Sequence, residues 1–139
     1  KSFNKTNAEE ILLSAHTRNL IILYKDANTV MSLQPDFRQL SQLRSDNFFG
    51  IIVTAPGNGD YDYICRYFAP WEGINEDPVT GSAQTCLAPY WAKKLNKTVL
   101  KGFQASKRSG DFTVELQEDR VLITGKAFIY LKGEIKRGF

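Results

Sequence analysis

Residues 76–97 read EDPVTGSAQTCLAPYWAKKLNK, and the fold turns on how this stretch is divided. The part from 82 to 97 reads as a helix of about four turns. Its apolar face is Ala83, Cys86, Leu87, Tyr90, Trp91 and Leu95, and Lys93, Lys94 and Lys97 gather near its end, where the helix dipole favours cations. Pro89 lies inside the pattern and predicts a kink or an early break. Ahead of the helix, Pro78 drives Asp77 into an extended conformation, so Thr80, Gly81 and Ser82 are the candidates for the cap. The first turn carries no charged residue.

Around this helix the rest of the chain divides into shorter pieces. TNAEEILLSAH (6–16) has Thr6 and Asn7 as capping residues and Glu9 and Glu10 in a first turn, which predicts a short helix closed by His16. NLIILYK (19–25) reads as a buried strand, and DFRQLSQLR (36–44) as a short amphipathic helix. FFGIIVTAP (48–56) and YDYICRYFA (61–69) read as a hairpin about the glycine-rich turn at 57–60. The last third alternates in three or four strands, with turns at Ser109-Gly110 and Glu118-Asp119. The expected fold is α+β, a mostly antiparallel sheet wrapped around one long central helix, in a single domain over residues 1–139.

Composition narrows the function classes. The 139 residues are 42% hydrophobic and 24% charged, as in ordinary globular proteins. The net charge of +3 comes from scattered Lys and Arg, with short clusters at Lys107-Arg108 and Lys136-Arg137, so a nucleic-acid surface is not expected. No apolar run reaches the ~20 residues of a membrane span, and no membrane partner is expected. Two cysteines, Cys65 and Cys86, have neither disulfide-framework nor metal-ligand spacing, so a reduced, cytoplasmic setting is the default. The chain begins at Lys1 and its single methionine is Met31, the pattern of a domain fragment.

The chemistry, if any, gathers at the helix start. The free N–H groups of Gly81, Ser82 and Ala83, with the Thr80 and Ser82 hydroxyls, make an anion pocket of neutral donors. A substrate carboxylate held there raises the pKa of nearby Asp77 and makes it a proton donor or relay. The plainer alternative is that Asp77 or Thr80 simply caps the helix and nothing binds, and on these residues alone it is the commoner case, since capping sequences of this kind are frequent. Phe68 and Trp71 offer an apolar wall for a flat ligand, although aromatics near a strand end are more often core. Arg66 is a partner for a carboxylate or a member of an ion pair. Glu76 and Asp77, adjacent in extended chain, point opposite ways. His16 and Cys86 are weak candidates, and no metal cluster is visible.

RYFAPWEGINEDPVTGSA (66–83), continuing into LAPYWAKKLNK, resembles the C-terminal half of the PhzF family, the phenazine-biosynthesis-like isomerases. FQASKRSGDFTVEL and VLITGKAFIYLKGEI are similar to that family's ending. The resemblance implies a diaminopimelate epimerase-like fold of two similar domains with the active site between them. It also implies no metal or organic cofactor, and proton transfer on a small carboxylate substrate. Asp77 matches the acidic site residue of this half, and Gly81 and Ser82 match the carboxylate contacts. An N-terminal domain carrying the family's glutamate has no counterpart here, so the chain alone is expected to be inactive, and a homodimer is a further possibility. Gln84 stands where many members carry histidine. The cysteine pair of the true epimerases is not matched. A non-catalytic metabolite-binding or protein-interaction homologue, and a purely structural domain, are the competing readings.

Overall fold

The computed structural model describes residues 3, 7–43 and 47–136; Thr6, Arg44 and Arg137 of the expectations above lie outside them. The described residues form one eight-stranded sheet: β1 (Glu10–Ser14), β2 (Asn19–Leu23), β3 (Gly50–Pro56), β4 (Tyr63–Ala69), β5 (Ile74–Asp77), β6 (Val99–Gln104), β7 (Gly110–Gln117) and β8 (Arg120–Thr124). The strand order is β1-β2-β3-β4-β6-β7-β8, with β5 a short branch on β4. The sheet is mixed. β2–β3 and β4–β6 are parallel, and the other neighbours are antiparallel.

Helices lie on both faces. One core layer packs Ala83, Leu87, Ala88, Trp91 and Ala92 of α3 (Gly81–Leu95) against Ile21, Ile52, Tyr63, Leu100 and Phe112 of the sheet. The other packs α1 (Ala27–Met31) and α2 (Phe37–Ser41), through Ala27, Val30 and Leu40, against Ile22, Val53, Ile64 and Phe68. Successive side chains of β4 point to opposite faces, and both faces are covered, so the strand is buried almost throughout: Tyr63 and Cys65 go to the α3 layer, Ile64 and Phe68 to the other. The expectation of one central helix thus leaves out a second layer, and α1 was not foreseen.

Residues 10–14 are the clearest departure from expectation. They form strand β1, not the end of a helix, and pair antiparallel with β2 from Glu10↔Leu23 to Ser14↔Asn19. Leu12 turns toward the core while Ile11 and Leu13 face outward, a period of two that Glu9 and Glu10 disguised as a helix start. His16 accordingly sits in a turn closed by Arg18 at φ 52°, not at a helix end. The hairpin of β3 and β4 and the helix at 36–44 follow expectation, the latter in its Phe37–Ser41 core. α3 runs through Pro89 without breaking, and its C-cap is Asn96 in the left-handed conformation. Residues 125–136, expected to continue in strand, have no regular structure.

Candidate active site at the start of α3

Among the described residues all three α-helices begin close to an aspartate, but only two use it as a cap. In α1, Asp26 accepts a hydrogen bond from Thr29 N at 2.8 Å; in α2, Asp36 accepts one from Gln39 N at 3.0 Å. The Gln39 amide, the largest influence, holds the Asp36 carboxyl below its usual range. At α3 the N-cap is Thr80, in extended conformation, and no side chain caps the helix. The Thr80 hydroxyl is turned away and donates to Asp77 Oδ2. No described residue forms a hydrogen bond to Oδ1. The first-turn N–H groups of α3 are therefore left without a side-chain partner, beside a carboxylate held at one oxygen only. Thr80 is thus the N-cap residue by position, while neither its side chain nor that of Asp77 caps the helix.

The loop 77–80 is fixed from below by Gln104, wholly buried at the end of β6. Its Oε1 accepts from Thr80 N at 2.8 Å, and its Nε2 donates to the Asp77 carbonyl at 2.7 Å and to Thr80 Oγ1 at 3.0 Å. One amide thus sets both the position of Thr80 and the direction of its hydroxyl. Ser106 Oγ adds a bond to the Pro78 carbonyl at 2.7 Å. Under the first turn, buried Gln84 accepts from Tyr63 OH at 2.8 Å and donates to the Thr80 carbonyl at 3.1 Å. At this position Gln84 is a neutral strut joining helix to sheet.

Asp77 stands on β5 opposite Tyr67 of β4. Burial, and after it the Asp77 carboxylate, raises the Tyr67 hydroxyl pKa, so the phenol stays protonated and donates to Asn19 Oδ1 at 3.3 Å. The Tyr67 ring lies over Gly50, where a Cβ would fall 2.1 Å from the hydroxyl oxygen; only glycine admits the ring there. Glu76 points the other way, as expected, and makes a two-point pair with Arg66, Nε–Oε1 at 2.6 Å and Nη2–Oε2 at 3.0 Å. Arg66 Nη1 also donates to the carbonyls of Val30 and Leu33. Arg66 and Glu76 are thus committed to structure.

A cavity of about 370 Å³ reaches the mouth of α3 and is lined by Thr80, Gly81, Gln84, Ser109, Phe112 and Lys126, among others. Gly81 and Ser82 are exposed at that mouth. A second cavity of about 560 Å³ lies on the other side of Pro78, with Phe37, Ser106, Lys107 and Arg108 in its wall. The two aromatics expected as a ligand wall are not brought to these cavities. Phe68 is wholly buried against Phe3 and Phe37, so it is core and has no surface for a ligand. Trp71 packs edge-on against Phe48 and donates to the Phe49 carbonyl at 3.0 Å. Gln104 and Tyr67 were missed. Gln104 had one legible signal, a polar residue at an inward position of an alternating strand. Burial pushes the Cys65 thiol up to about 12, and raises that of half-buried Cys86 as well. No group of potential metal ligands occurs among the described residues.

A family model described as phenazine biosynthesis-like protein (PhzC–PhzF) matches residues 2–133, and the chain belongs to this family. It is 48% identical over 104 residues to an uncharacterized isomerase of Halalkalibacterium halodurans, covering 74% of this chain and 38% of that protein. It is 38% identical to the mouse phenazine biosynthesis-like domain-containing protein 1, covering 94% of this chain and 49% of that one. A crystal structure of a PhzF-family protein from Enterococcus faecalis superposes with a TM-score of 0.83 at 44% identity, covering 92% of this chain and 47% of the other. The chain spans about half the length, or less, of the relatives it matches. No helix among the described residues is long and apolar enough to cross a membrane.

Proposed function

We propose that this chain is the C-terminal half of a cofactor-independent PhzF-like isomerase or epimerase, a diaminopimelate epimerase-like unit whose sheet wraps α3. In this reading the amides of Gly81 and Ser82, with Thr80 behind them, bind the carboxylate of a small substrate. Asp77 moves the proton as acid or relay. The observation that carries the proposal is the contrast between the helices: α1 and α2 are closed by aspartate caps, whereas at α3 the Thr80 hydroxyl holds Asp77 and leaves the helix mouth open. An uncapped helix start is a site for an anion, and a carboxylate with one unbonded oxygen is placed to exchange a proton. The isomerase names carried by relatives support the reaction class.

The complete site needs the other half of the protein, and neither a metal nor an organic cofactor is invoked. The test is solvent deuterium incorporation into small carboxylic acids by the full-length protein. Asp77→Asn is expected to lower the rate by at least ~10²-fold, the usual worth of a general acid or base. Full activity in that variant would sink the assignment.

A further inference from the structure

Of the two cavities flanking Pro78, only the front one, at the mouth of α3, belongs to the site described above. The rear one, of about 560 Å³, has an apolar part, half-buried Phe37 and Pro78, and a charged part, Lys107 and Arg108 in the loop between β6 and β7. Both cations are exposed, and among the described residues neither side chain has a hydrogen-bond or ion-pair partner. Glu76, also in the wall, does not neutralise them, because Arg66 takes both of its oxygens. The rear cavity is therefore positive. An apolar wall with a few polar groups, at this size, is the usual make-up of a small-molecule site.

The cations are also held in place by other residues. Ser106 Oγ accepts from Ser109 N at 3.0 Å and donates to the Pro78 carbonyl at 2.7 Å. One hydroxyl thus shapes the turn that carries Lys107 and Arg108 and fastens it to the loop after Asp77. Neither cation contributes to that fastening, so both charges stay available. Arg108 lines the front cavity as well as the rear one.

We propose that the rear cavity is a second binding site, for a small carboxylate with an apolar body, and that filling it weakens anion binding at the mouth of α3. The carboxylate lies on Lys107 and Arg108, and the body lies against Phe37 and Pro78. Charge complementarity selects an anion, and the planar guanidinium suits a carboxylate. A bare inorganic anion would leave Phe37 and Pro78 uncovered. A carboxylate at the rear engages Arg108 and withdraws its charge from the front cavity, and linkage makes the antagonism reciprocal. The rear site stands apart from the catalytic reading. Only the antagonism rests on the reading of the α3 mouth as an anion site.

The test is a titration of the full-length protein with 3-phenylpropionate, followed by amide NMR shifts. Saturable shifts are expected at Asn75, Ser106 and Lys107, with a dissociation constant of roughly 1–10 mM for a ligand of this size. The neutral 3-phenylpropionamide should bind at least ~10-fold more weakly, as loss of hydrogen bonds to a charged group implies. The double variant Lys107→Gln, Arg108→Gln should show the same loss at an unaltered melting temperature. Shifts that do not saturate, equal binding of the amide, or full affinity in the double variant would overturn the site. Inorganic phosphate binding there as tightly as 3-phenylpropionate would overturn the apolar body. Acetate is then titrated while Gly81 and Ser82 are observed. Its affinity should fall at least ~5-fold once the rear is saturated, and should not fall in Arg108→Gln. An unchanged affinity, or a fall that persists in Arg108→Gln, overturns the shared guanidinium. Acetate that never moves Gly81 or Ser82 overturns the antagonism together with the reading of the α3 mouth, while Asn75 and Ser106 still decide the rear site.

Discussion

At the scale of single residues the loop that leads into α3 depends on Gln104, which holds both Asp77 and Thr80. Gln104→Ala removes three hydrogen bonds and leaves the buried Thr80 N–H without a partner. Unsatisfied buried groups cost about 1–3 kcal/mol each, so urea denaturation should register a loss of about 2–3 kcal/mol. The Thr80 hydroxyl, then held by Asp77 alone, should turn more readily to cap α3, and affinity for carboxylates should fall with it. The cysteines give a second residue-scale prediction. Iodoacetamide at pH 8 followed by intact mass should modify Cys86 slowly and Cys65 only under denaturing conditions, since burial holds the Cys65 thiol near 12. Much of this level was legible. Proline before the helix and glycine at its start pointed to Asp77, Thr80, Gly81 and Ser82. What the sequence could not supply was the choice between cap and open mouth, because that is decided by Gln104, 24 residues after Thr80. Phe68 and Trp71 misled because strand-end aromatics read alike whether they face a cavity or a core.

Between elements, the pair of Arg66 and Glu76 holds β5 on β4 and ties both to the end of α1 through the Val30 and Leu33 carbonyls. Removing one partner of a buried pair leaves the other without compensation. Arg66→Met should therefore lower stability by about 3 kcal/mol in thermal melts, and the double change with Glu76→Gln should lower it by less. The loop 57–62 is tied to the chain just past α3 by Lys97 Nζ, 2.5 Å from Asp62 Oδ1, and to β6 by the Lys101 amide on Oδ2. Burial raises the Asp62 pKa, but these partners outweigh it and the folded value lies below the ordinary one. Such a group adds stability above its unfolded pKa of about 4, and loses it as pH falls through the lower folded value. Asp62→Asn should thus weaken the protein at pH 7, and pH-dependent denaturation should show that effect vanish as pH falls through the lowered folded value. Among the elements, periodicity identified the β3–β4 hairpin, α2 and α3. It failed at 10–14, where five residues are too few to separate a period of two from 3.6, and strand pairing with β2 decided the matter.

For the molecule as a whole, the order of patterned segments pointed to a mixed α and β domain, while the two-sided layering depended on contacts between distant strands. The parallel pairs β2–β3 and β4–β6 are of this kind, since no local signal announces a crossover. If the chain is half an enzyme, the isolated polypeptide should incorporate no solvent deuterium into any carboxylate, while the full-length protein does so in an Asp77-dependent way. Incorporation by the isolated chain would count against the divided site.

The two crossovers share a direction across the sheet but start from strands that run opposite ways, because the turn at 57–62 reverses the chain between them. Crossovers are almost always right-handed, and for a fixed hand that reversal sends one to each face. The side on which α3 lies, and with it the side that carries Asp77, is therefore a matter of chirality. A six-residue turn far from the helix mouth decides toward which hemisphere of the molecule the site opens.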